Sequence, residues 1–357
     1  MMRYLILSTA RNCIATKRLR KEALELGHKV TVIDPSKLFL LISNSEQGYD
    51  RLFYVDGGKV TRINIKDYDA IIPRIGDNVG YGAFIVEHLN KNLGIFSTAS
   101  AEGIRNASNQ LKSLQLFSSY GLPTPRTVFA QNPTHIEHVI KKVGGYPIVV
   151  KLLQGSGGNG VALLKDKSSA IPTLQSLFKS RSSVLIQEYL DSGGTDYRVI
   201  VAGNQVITAF KRSAKKGDFR ANLKQGGYGS PVNLSTQDKD LCIHGARAIN
   251  LHVAGMDIIK SSGKTYVIEA NANFGYNVES ITGVNVAKQT IQFCEQNYRI
   301  RAHESDRTSA VQGLLLEERI KSDSMAKQLI ALKKENGLLT DDQYIQEVFS
   351  AGEKNYI

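Results

Sequence analysis

Residues 253–273 read VAGMDIIKSSGKTYVIEANAN, two β-rich runs that flank a Ser/Gly turn, and this pattern predicts a β-hairpin. With the turn centred on Ser262, Asp257 is expected to face Val267 across the hairpin. One face then carries the polar residues Asp257, Glu269 and Asn271, and the other the apolar residues Met256, Ile258, Ile268, Ala270 and Ala272. Two carboxylates and a carboxamide are hard oxygen ligands that suit Mg²⁺. The alternative is an ordinary half-exposed hairpin with its polar residues in solvent, so the rest of the chain must decide.

The composition indicates a globular protein of two or three domains. The chain has 357 residues, 42% of them hydrophobic and 22% charged, which is an average balance for a folded protein. It contains no apolar run of about 18 residues, so we expect no transmembrane helix and no membrane partner. Cys13, Cys242 and Cys294 lie far apart without a metal-binding spacing, as is typical of a reducing cytoplasm. The net charge of +12 favours an anionic partner, namely a nucleotide, an acidic peptide or nucleic acid.

The N-terminus has the pattern of a parallel α/β domain. Apolar runs at 4–8 and 29–34 flank a helical stretch at 16–26 that ends at Gly27, which is a βαβ arrangement. No GxGxxG follows the first strand, so the dinucleotide-binding fingerprint is absent.

A lysine followed by a glycine-rich loop indicates phosphate binding. Lys151 lies in the buried-strand pattern 146–153, and a lysine there needs an anion or a shifted pKa. The loop Gln154–Val161 follows and contains Gly155, Ser156, Gly157 and Gly158; its backbone N–H groups can point at phosphate. A flexible hairpin loop is the alternative. No Gly-Lys-Ser/Thr opens a helix here, so this is not a Walker A motif.

Two further stretches suggest a nucleotide and an anionic substrate. The strand 183–190 ends in Gln187, Glu188 and Tyr189, and Asp196 follows a short turn; backbone groups beside a carboxylate suit adenine and ribose, although an ordinary strand end is the simpler interpretation. Residues 211–224 hold six basic residues and one acid. They predict a solvated loop, a clamp for phosphates and an acidic substrate, or a nucleic-acid contact.

Taken together, these features resemble the RimK family of ribosomal-protein glutamate ligases within the ATP-grasp superfamily. The resemblance extends from residue 3 to about residue 297. Its markers are Lys17-Arg18-Leu19-Arg20, Ile72-Pro73-Arg74-Ile75-Gly76, Val149-Val150-Lys151-Leu152, the glycine loop, Gln187-Glu188-Tyr189, Asp196-x-Arg198, 217–223, Gly255-x-Asp257 and Glu269-x-Asn271.

The resemblance implies an α/β (α+β) ATP-grasp fold with an N-terminal parallel domain and a C-terminal helical tail. We expect a pre-ATP-grasp domain over 1–98 and an ATP-grasp domain over 99–300. The latter would have a lid subdomain at about 124–187 and a metal-binding subdomain at about 188–300. A linker at 301–312 would lead to 313–352, which is similar to the short C-terminal helical hairpin called SHOCT; an incidental helical tail is the alternative.

The resemblance also implies the roles of the site residues. Lys151 and the glycine loop would bind the ATP phosphates. Glu188 and Tyr189, with Gln187 beside them, would bind adenine, and Asp196 the ribose. Arg220 and Asn222 would be catalytic, reaching the phosphates and the reacting acyl group. Asp257, Glu269 and Asn271 would bind two Mg²⁺ ions bridged by Glu269, and Mn²⁺ is an alternative metal.

Two positions depart from the family pattern. The family usually has Asp-Lys where this chain has Asn109-Gln110; Gln110 keeps a hydrogen-bond donor but loses the charge that would touch ATP. Lys112 would point about 200° around the helix and is a poor substitute. After Asn271 the family usually continues Ser-Pro-Gly, whereas this chain has Asn273-Phe274-Gly275.

The sequence thus predicts a cytoplasmic, ATP- and Mg²⁺-dependent carboxylate–amine ligase. It would phosphorylate a carboxylate and release ADP and phosphate, adding glutamate or another amino acid to a peptide or protein C-terminus. The alternatives are an amino-acid ligase acting on a small-molecule cofactor or carrier, and a nucleotide-binding regulatory protein that has lost ligation. A nucleic-acid binder rests on charge alone and ranks last. The sequence leaves open whether the chain forms a homo-oligomer.

Overall fold

The N-terminal part of the chain is built on a parallel sheet. The computed structural model describes residues 1–41, 51–131, 135–153 and 160–298, and residues Met1–Asn297 form one compact unit. The sheet has the order β2-β1-β6-β7. Its elements are β1 (Arg3–Ser8), α1 (Ile14–Glu25), β2 (Lys29–Ile33), β6 (Ala70–Arg74) and β7 (Phe96–Ser97). The apolar runs that the sequence offers as strands are therefore the buried strands of this sheet.

A small antiparallel sheet and three helices complete this part. The sheet has the order β3-β4-β5, formed by β3 (Leu38–Leu41), β4 (Arg51–Asp56) and β5 (Lys59–Ile63). The helices are α2 (Val79–Glu87), which continues as a π-helical turn at His88–Asn92, α3 (Ala101–Ala107) and α4 (Gln110–Ser119). The Asn109 side chain accepts a hydrogen bond from the Lys112 N–H and so fixes the start of α4.

The middle of the chain forms a four-stranded antiparallel sheet covered by two helices. Its order is β10-β9-β11-β8. The elements are β8 (Thr127–Ala130), α5 (Ile136–Lys142), β9 (Ile148–Leu152), β10 (Val161–Leu164), α6 (Lys167–Lys179) and β11 (Val184–Glu188). We call this sheet with its two helices the lid.

The last sheet is antiparallel and contains the 253–273 hairpin. Its order is β14-β13-β12-β15-β16. The elements are β12 (Thr195–Ala202), β13 (Gln205–Ser213), β14 (Tyr228–Pro231), α7 (Thr236–Ala248), β15 (Val253–Ser261), β16 (Lys264–Asn271) and α8 (Val278–Thr282). A ninth helix, α9, covers 286–298.

Two large clusters contain many of the buried apolar residues in the described ranges. One joins the parallel sheet to the hairpin sheet, and runs from Leu5 through Phe117 to Met256. The other lies inside the lid and includes Ile140, Leu174 and Ile186. The two clusters share no residue, so the lid has a core of its own.

Helix α3 packs closely against the backbone at Asn250, in the turn between α7 and β15. A Cβ atom added at Gly103 would lie 2.8 Å from the carbonyl carbon of Asn250 and closer still to its oxygen. Ser100, the N-cap of this helix, donates a hydrogen bond to the same carbonyl oxygen at 2.9 Å. A glycine is therefore needed where α3 meets this backbone.

We expect Gly103→Ala to lower the free energy of unfolding by about 2 kcal/mol, because backbone must move to admit the methyl group. The matched control is Gly80→Ala in α2, where an added Cβ has nothing within 4 Å; it should raise stability by about 0.5–1 kcal/mol through helix propensity alone. Urea denaturation of both variants measures the difference. Equal effects in the two variants would contradict the close packing.

The mixed α/β architecture with a parallel N-terminal sheet confirms the fold class expected from the sequence. The linker at 301–312 and the hairpin at 313–352 lie outside the described residues. No helix in the described ranges is long and apolar enough to cross a membrane.

Candidate active site

A cleft of about 710 Å³ lies where the lid, the hairpin sheet and the loop after β6 meet. All of the predicted site residues within the described ranges line it. They are Lys151, Gln187, Glu188, Tyr189, Asp196, Arg220, Asn222, Asp257, Glu269 and Asn271. Gly155, Ser156, Gly157 and Gly158 lie outside the described residues. Residues that are up to 120 positions apart in the chain therefore meet at one cleft.

The hairpin brings its two carboxylates opposite each other, in a register that differs from the predicted one. Ser262 and Gly263 form the turn with positive φ, and Ser261 pairs with Lys264. The pairing shifts between Asp257 and Ile258, so that Asp257 pairs with Glu269. The expectation that Asp257 faces Val267 was wrong, because it assumed a one-residue turn centre and an unbroken ladder.

The register shift leaves Ile268 as an extra residue in β16. Val267 pairs with Ile258 and both are fully buried, whereas Ile268 lines the cleft. The expectation that Ile268 belongs to the apolar face was therefore wrong, whereas Ala272 packs against the main hydrophobic core as expected. A β-bulge redirects side chains in this way.

Asp257 is bound by two arginines. Arg198 donates to both of its carboxylate oxygens, with a distance of 2.8 Å from Nη2 to Oδ2. Nη2 of Arg212 lies 3.0 Å from the same Oδ2. Burial alone would raise the pKa of Asp257, but the charges of the two arginines outweigh burial and lower it. Asp257 is thus ionised and compensated.

Glu269 has the opposite electrostatic environment. Burial first, and then the charge of Asp257, raise its pKa. A cation bound between two neighbouring carboxylates removes the electrostatic repulsion between them and favours their ionised forms. Within the described residues no three His, Cys, Asp or Glu side chains are arranged to hold a metal ion, so the third oxygen of a metal site here must come from a neutral group.

Asn271 fits as that neutral ligand. Its Nδ2 donates to the Gly255 carbonyl at 3.4 Å, and among the described residues no hydrogen bond engages its amide oxygen. Asn271 pairs with Gly255 two positions along the ladder from the pair formed by Asp257 and Glu269, so the three side chains project from the same face. The donor set therefore fits a hard divalent cation such as Mg²⁺.

Lys151 provides a buried positive charge beside these carboxylates. It lies in β9 and is 9% exposed. Burial lowers its pKa, while Glu269 and Asp257 act to raise it. A buried ammonium that faces a cleft is suited to bind an anion, because an anionic partner restores its charged form.

The predicted adenine and ribose residues have carboxylates that already bind arginine. Glu188 accepts hydrogen bonds from N and Nε of Arg126 at 2.7 and 2.8 Å. Asp196 accepts from Nε and Nη2 of Arg212 at 2.5 and 2.8 Å. The carboxylate of Asp196 would have to share or leave Arg212 to reach a ribose, and its role stays a prediction.

Arg220 forms part of a turn with its own acidic partner. Its Nε and Nη2 lie 3.1 and 3.0 Å from the Asp218 carboxylate. These contacts lower the pKa of Asp218 to about 2. Lys215 and Lys216, from the same basic stretch, line a second groove that shares Arg220 with the main cleft.

Sequence reasoning assigned no role to three arginines that shape the site. Arg198 and Arg212 both hold Asp257, and Arg212 joins Asp257 to Asp196. Arg74 is buried, and its Nη2 donates to the Phe274 carbonyl at 2.6 Å. Arg198 and Arg74 lay within recognised motifs, whereas Arg212 was counted only as part of a basic run. The motif position was the only available signal for Arg198 and Arg74, and Arg212 had none.

The fold and the cleft, with a buried lysine facing paired carboxylates between two sheets, define a ligase of the ATP-grasp class. Matches to two family models give the particular family. Residues 107–294 match the RimK-like ATP-grasp domain and residues 2–104 match the RimK pre-ATP-grasp domain. The chain belongs to the RimK family of ATP-grasp ligases, whose members use ATP and Mg²⁺.

Named relatives and solved structures agree with this family. The chain is 36% identical over 300 residues to a probable alpha-L-glutamate ligase of Thioalkalivibrio sulfidiphilus, covering 84% of this chain and 97% of the relative. It is 37% identical over 299 residues to probable alpha-L-glutamate ligase 2 of Pseudoalteromonas atlantica, covering 83% and 96%. The fold is similar to that of the ATP-grasp ligase PsnB complexed with minimal precursor, Mg and ADP. That match has a TM-score of 0.65 at 18% identity, and covers 83% of this chain and 97% of PsnB. The ATP-grasp fold expected from the sequence is confirmed.

Proposed function

We propose that this protein is an ATP- and Mg²⁺-dependent ligase that joins glutamate or another amino acid to the C-terminal carboxylate of a peptide or protein. The observation that carries the proposal is the position of the buried Lys151 at the same cleft as the paired carboxylates Asp257 and Glu269. The names of the curated relatives support glutamate as the amino acid. The peptide acceptor is supported by the PsnB structure with its precursor.

The proposed reaction has two steps. An acceptor carboxylate oxygen attacks the γ-phosphorus of ATP; the new O–P bond forms as the β–γ bridging bond breaks, and ADP leaves. The nitrogen of the incoming amine then attacks the acyl carbon, the C–N bond forms and the C–O bond to phosphate breaks. The ammonium loses two protons in total, one carried by hydrogen phosphate and one by solvent.

The side chains of the cleft have distinct parts in this scheme. Lys151 and Arg220 bind phosphate oxygens, and Asn222 orients the reacting acyl group. Asp257, Glu269 and Asn271 would hold two Mg²⁺ ions, and Mn²⁺ would suit the same oxygen ligands. Such ions would neutralise charge on the transferring phosphoryl group. Arg198 and Arg212 line the cleft beside Asp257. Their positive charges would therefore add to the stabilisation of negative charge on the phosphate.

The direct test is product analysis with purified protein, ATP and Mg²⁺. We expect ADP and phosphate release that depends on an amino acid, glutamate first, and on peptides from a cell extract. Release of AMP and pyrophosphate would exclude the acyl-phosphate route. Release of ADP and phosphate with an amino acid and a small carboxylate compound, in the absence of any peptide, would favour the small-molecule ligase.

Gln110 is the observation that favours a degenerate, non-ligating protein. It is the first residue of α4 and lines the cleft, at the position where the family resemblance implies a lysine. We expect Gln110→Lys to tighten ATP binding by up to about 10-fold, because a cation then faces the phosphates. Equilibrium binding of ATP measures the effect, with Gln115→Lys on the same helix as the control for added charge.

Measuring ligation by both proteins shows whether the tighter ATP binding of Gln110→Lys restores a lost activity. Ligation by the unmodified protein excludes the degenerate alternative. Ligation that occurs only in Gln110→Lys would instead assign the loss of activity to this position.

A further inference from the structure

One end of the cleft is formed by the loop that follows β6. Gly76 and Asp77 line the cleft together with Asn273 and Asn277. A Cβ atom added at Gly76 would lie 2.8 Å from Nδ2 of Asn273. The loop is therefore packed directly against the residues that follow Asn271.

Arg74 holds the residues that follow Asn273 in place. In addition to its hydrogen bond to the Phe274 carbonyl, its guanidinium lies 5.8 Å from the centre of the Phe274 ring and 5.3 Å from that of Tyr276. Arg74 is 7% exposed, so its side chain is held by the surrounding residues where the loop after β6 meets residues 273–276. Asp77, three residues later, lines the same cleft as Asn271, the last residue of β16.

The acidic residues that line the cleft differ in what they bind. Glu188 and Asp196 hold arginines, and Asp257 and Glu269 form the candidate metal pair. Asp77 is the fifth acid of the cleft, and within the described ranges no hydrogen bond or ion pair engages its carboxylate. An exposed carboxylate that lines a cleft together with amide oxygens offers several acceptors to a cation with several N–H donors.

We infer that Asp77, with Asn273 and Asn277, forms a subsite that binds the α-ammonium group of the incoming amino acid. This inference rests on the proposed function, because that ammonium group becomes the nucleophile of the second step. A carboxylate at this end of the cleft brings the nitrogen towards the phosphates held by Lys151. The two asparagine oxygens accept the remaining N–H donors.

Asp77 also has an alternative structural role. It precedes the first residue of α2, Val79, by two positions, where a negative charge interacts favourably with the helix N-terminus. That role would change the stability of the fold without changing the affinity for an amino acid. Stability and affinity must therefore be measured on the same variant.

The test compares Asp77→Asn with Asp240→Asn, which removes the charge of an exposed acid on α7 outside the cleft. Binding of glutamate and of glutarate, which lacks the ammonium group, is measured by equilibrium dialysis with Mg²⁺ and a non-hydrolysable ATP analogue. We expect Asp77→Asn to weaken glutamate binding about 10-fold and to leave glutarate binding unchanged, as loss of one charged hydrogen bond predicts. Asp240→Asn should change neither.

A second measurement uses hydroxylamine, an uncharged amine that traps acyl phosphates as hydroxamates. Asp77→Asn should form hydroxamate from ATP and acceptor as fast as the unmodified protein, and have an unchanged KM for ATP. If the unmodified protein binds glutamate more tightly than glutarate and Asp77→Asn shows the same difference in affinity, the subsite is refuted and the proposed function is not. Unmodified protein that neither binds any amino acid nor forms hydroxamate overturns the proposed function as well.

Discussion

Asp257→Asn is expected to lower ADP release roughly 1,000-fold and to lower the free energy of unfolding by about 3 kcal/mol. The loss of activity follows from removing a ligand of the metal that neutralises the transferring phosphoryl group. The loss of stability follows because Arg198, whose side chain is 15% exposed, would keep a largely buried charge without its carboxylate, while Arg212 would keep only Asp196. Steady-state ADP release and urea denaturation measure the two effects.

Glu269→Gln separates these two effects. It removes the other carboxylate of the pair, but within the described residues no hydrogen bond or ion pair joins Glu269 to an arginine. We expect an equally large loss of ADP release with no loss of stability, because the variant removes a buried acid whose pKa is raised. The exposed Asp240→Asn serves as the control for both. ADP release within 10-fold of the unmodified protein in Glu269→Gln would refute the metal site.

Lys151→Met is expected to weaken ATP binding by about 10–100-fold, the cost of one charge-assisted hydrogen bond to phosphate. Methionine fills similar space without charge, so the free energy of unfolding should stay the same or rise by about 1 kcal/mol. Lys179→Met, at an exposed position of α6 outside the cleft, is the control. Calorimetric titration with ATP and thermal unfolding measure the two quantities.

The lowered pKa of Lys151 adds a dependence on pH. Phosphate binds the ammonium form, so bound ATP raises the pKa of Lys151 and ATP affinity falls as the pH rises through the lowered pKa of the free protein. Lys151→Met should lack this fall. An identical alkaline decline in the variant would assign the effect to another group.

The sequence predicted which residues meet at the cleft better than how they meet. Asp257, Glu269 and Asn271 were found because alternation along a strand places every second side chain on one face. The direct pairing of Asp257 with Glu269 was missed, because a bulge depends on the whole ladder and not on the local pattern. For the same reason Ile268 was assigned to the wrong face.

Arg212 illustrates a second limit of sequence reasoning. Within 211–224 it is one of six basic residues, and charge alone gives no reason to choose it. Its importance comes from β13 pairing with β12, which sets Arg212 beside Asp196, and from β15 on the other side of β12, which carries Asp257. Such a three-strand relation is a property of the fold.

The separate core of the lid has a consequence for closure over a nucleotide. Since the lid and the rest of the described ATP-grasp part bury different sets of apolar residues, a hinge rotation between them would rearrange polar groups lining the cleft and leave both hydrophobic interiors intact. Such a movement avoids the main energetic penalty that opposes large rearrangements in proteins, the exposure of apolar surface to water. Opening and closing can then be driven by modest binding energies, in step with each cycle of substrate entry and product departure.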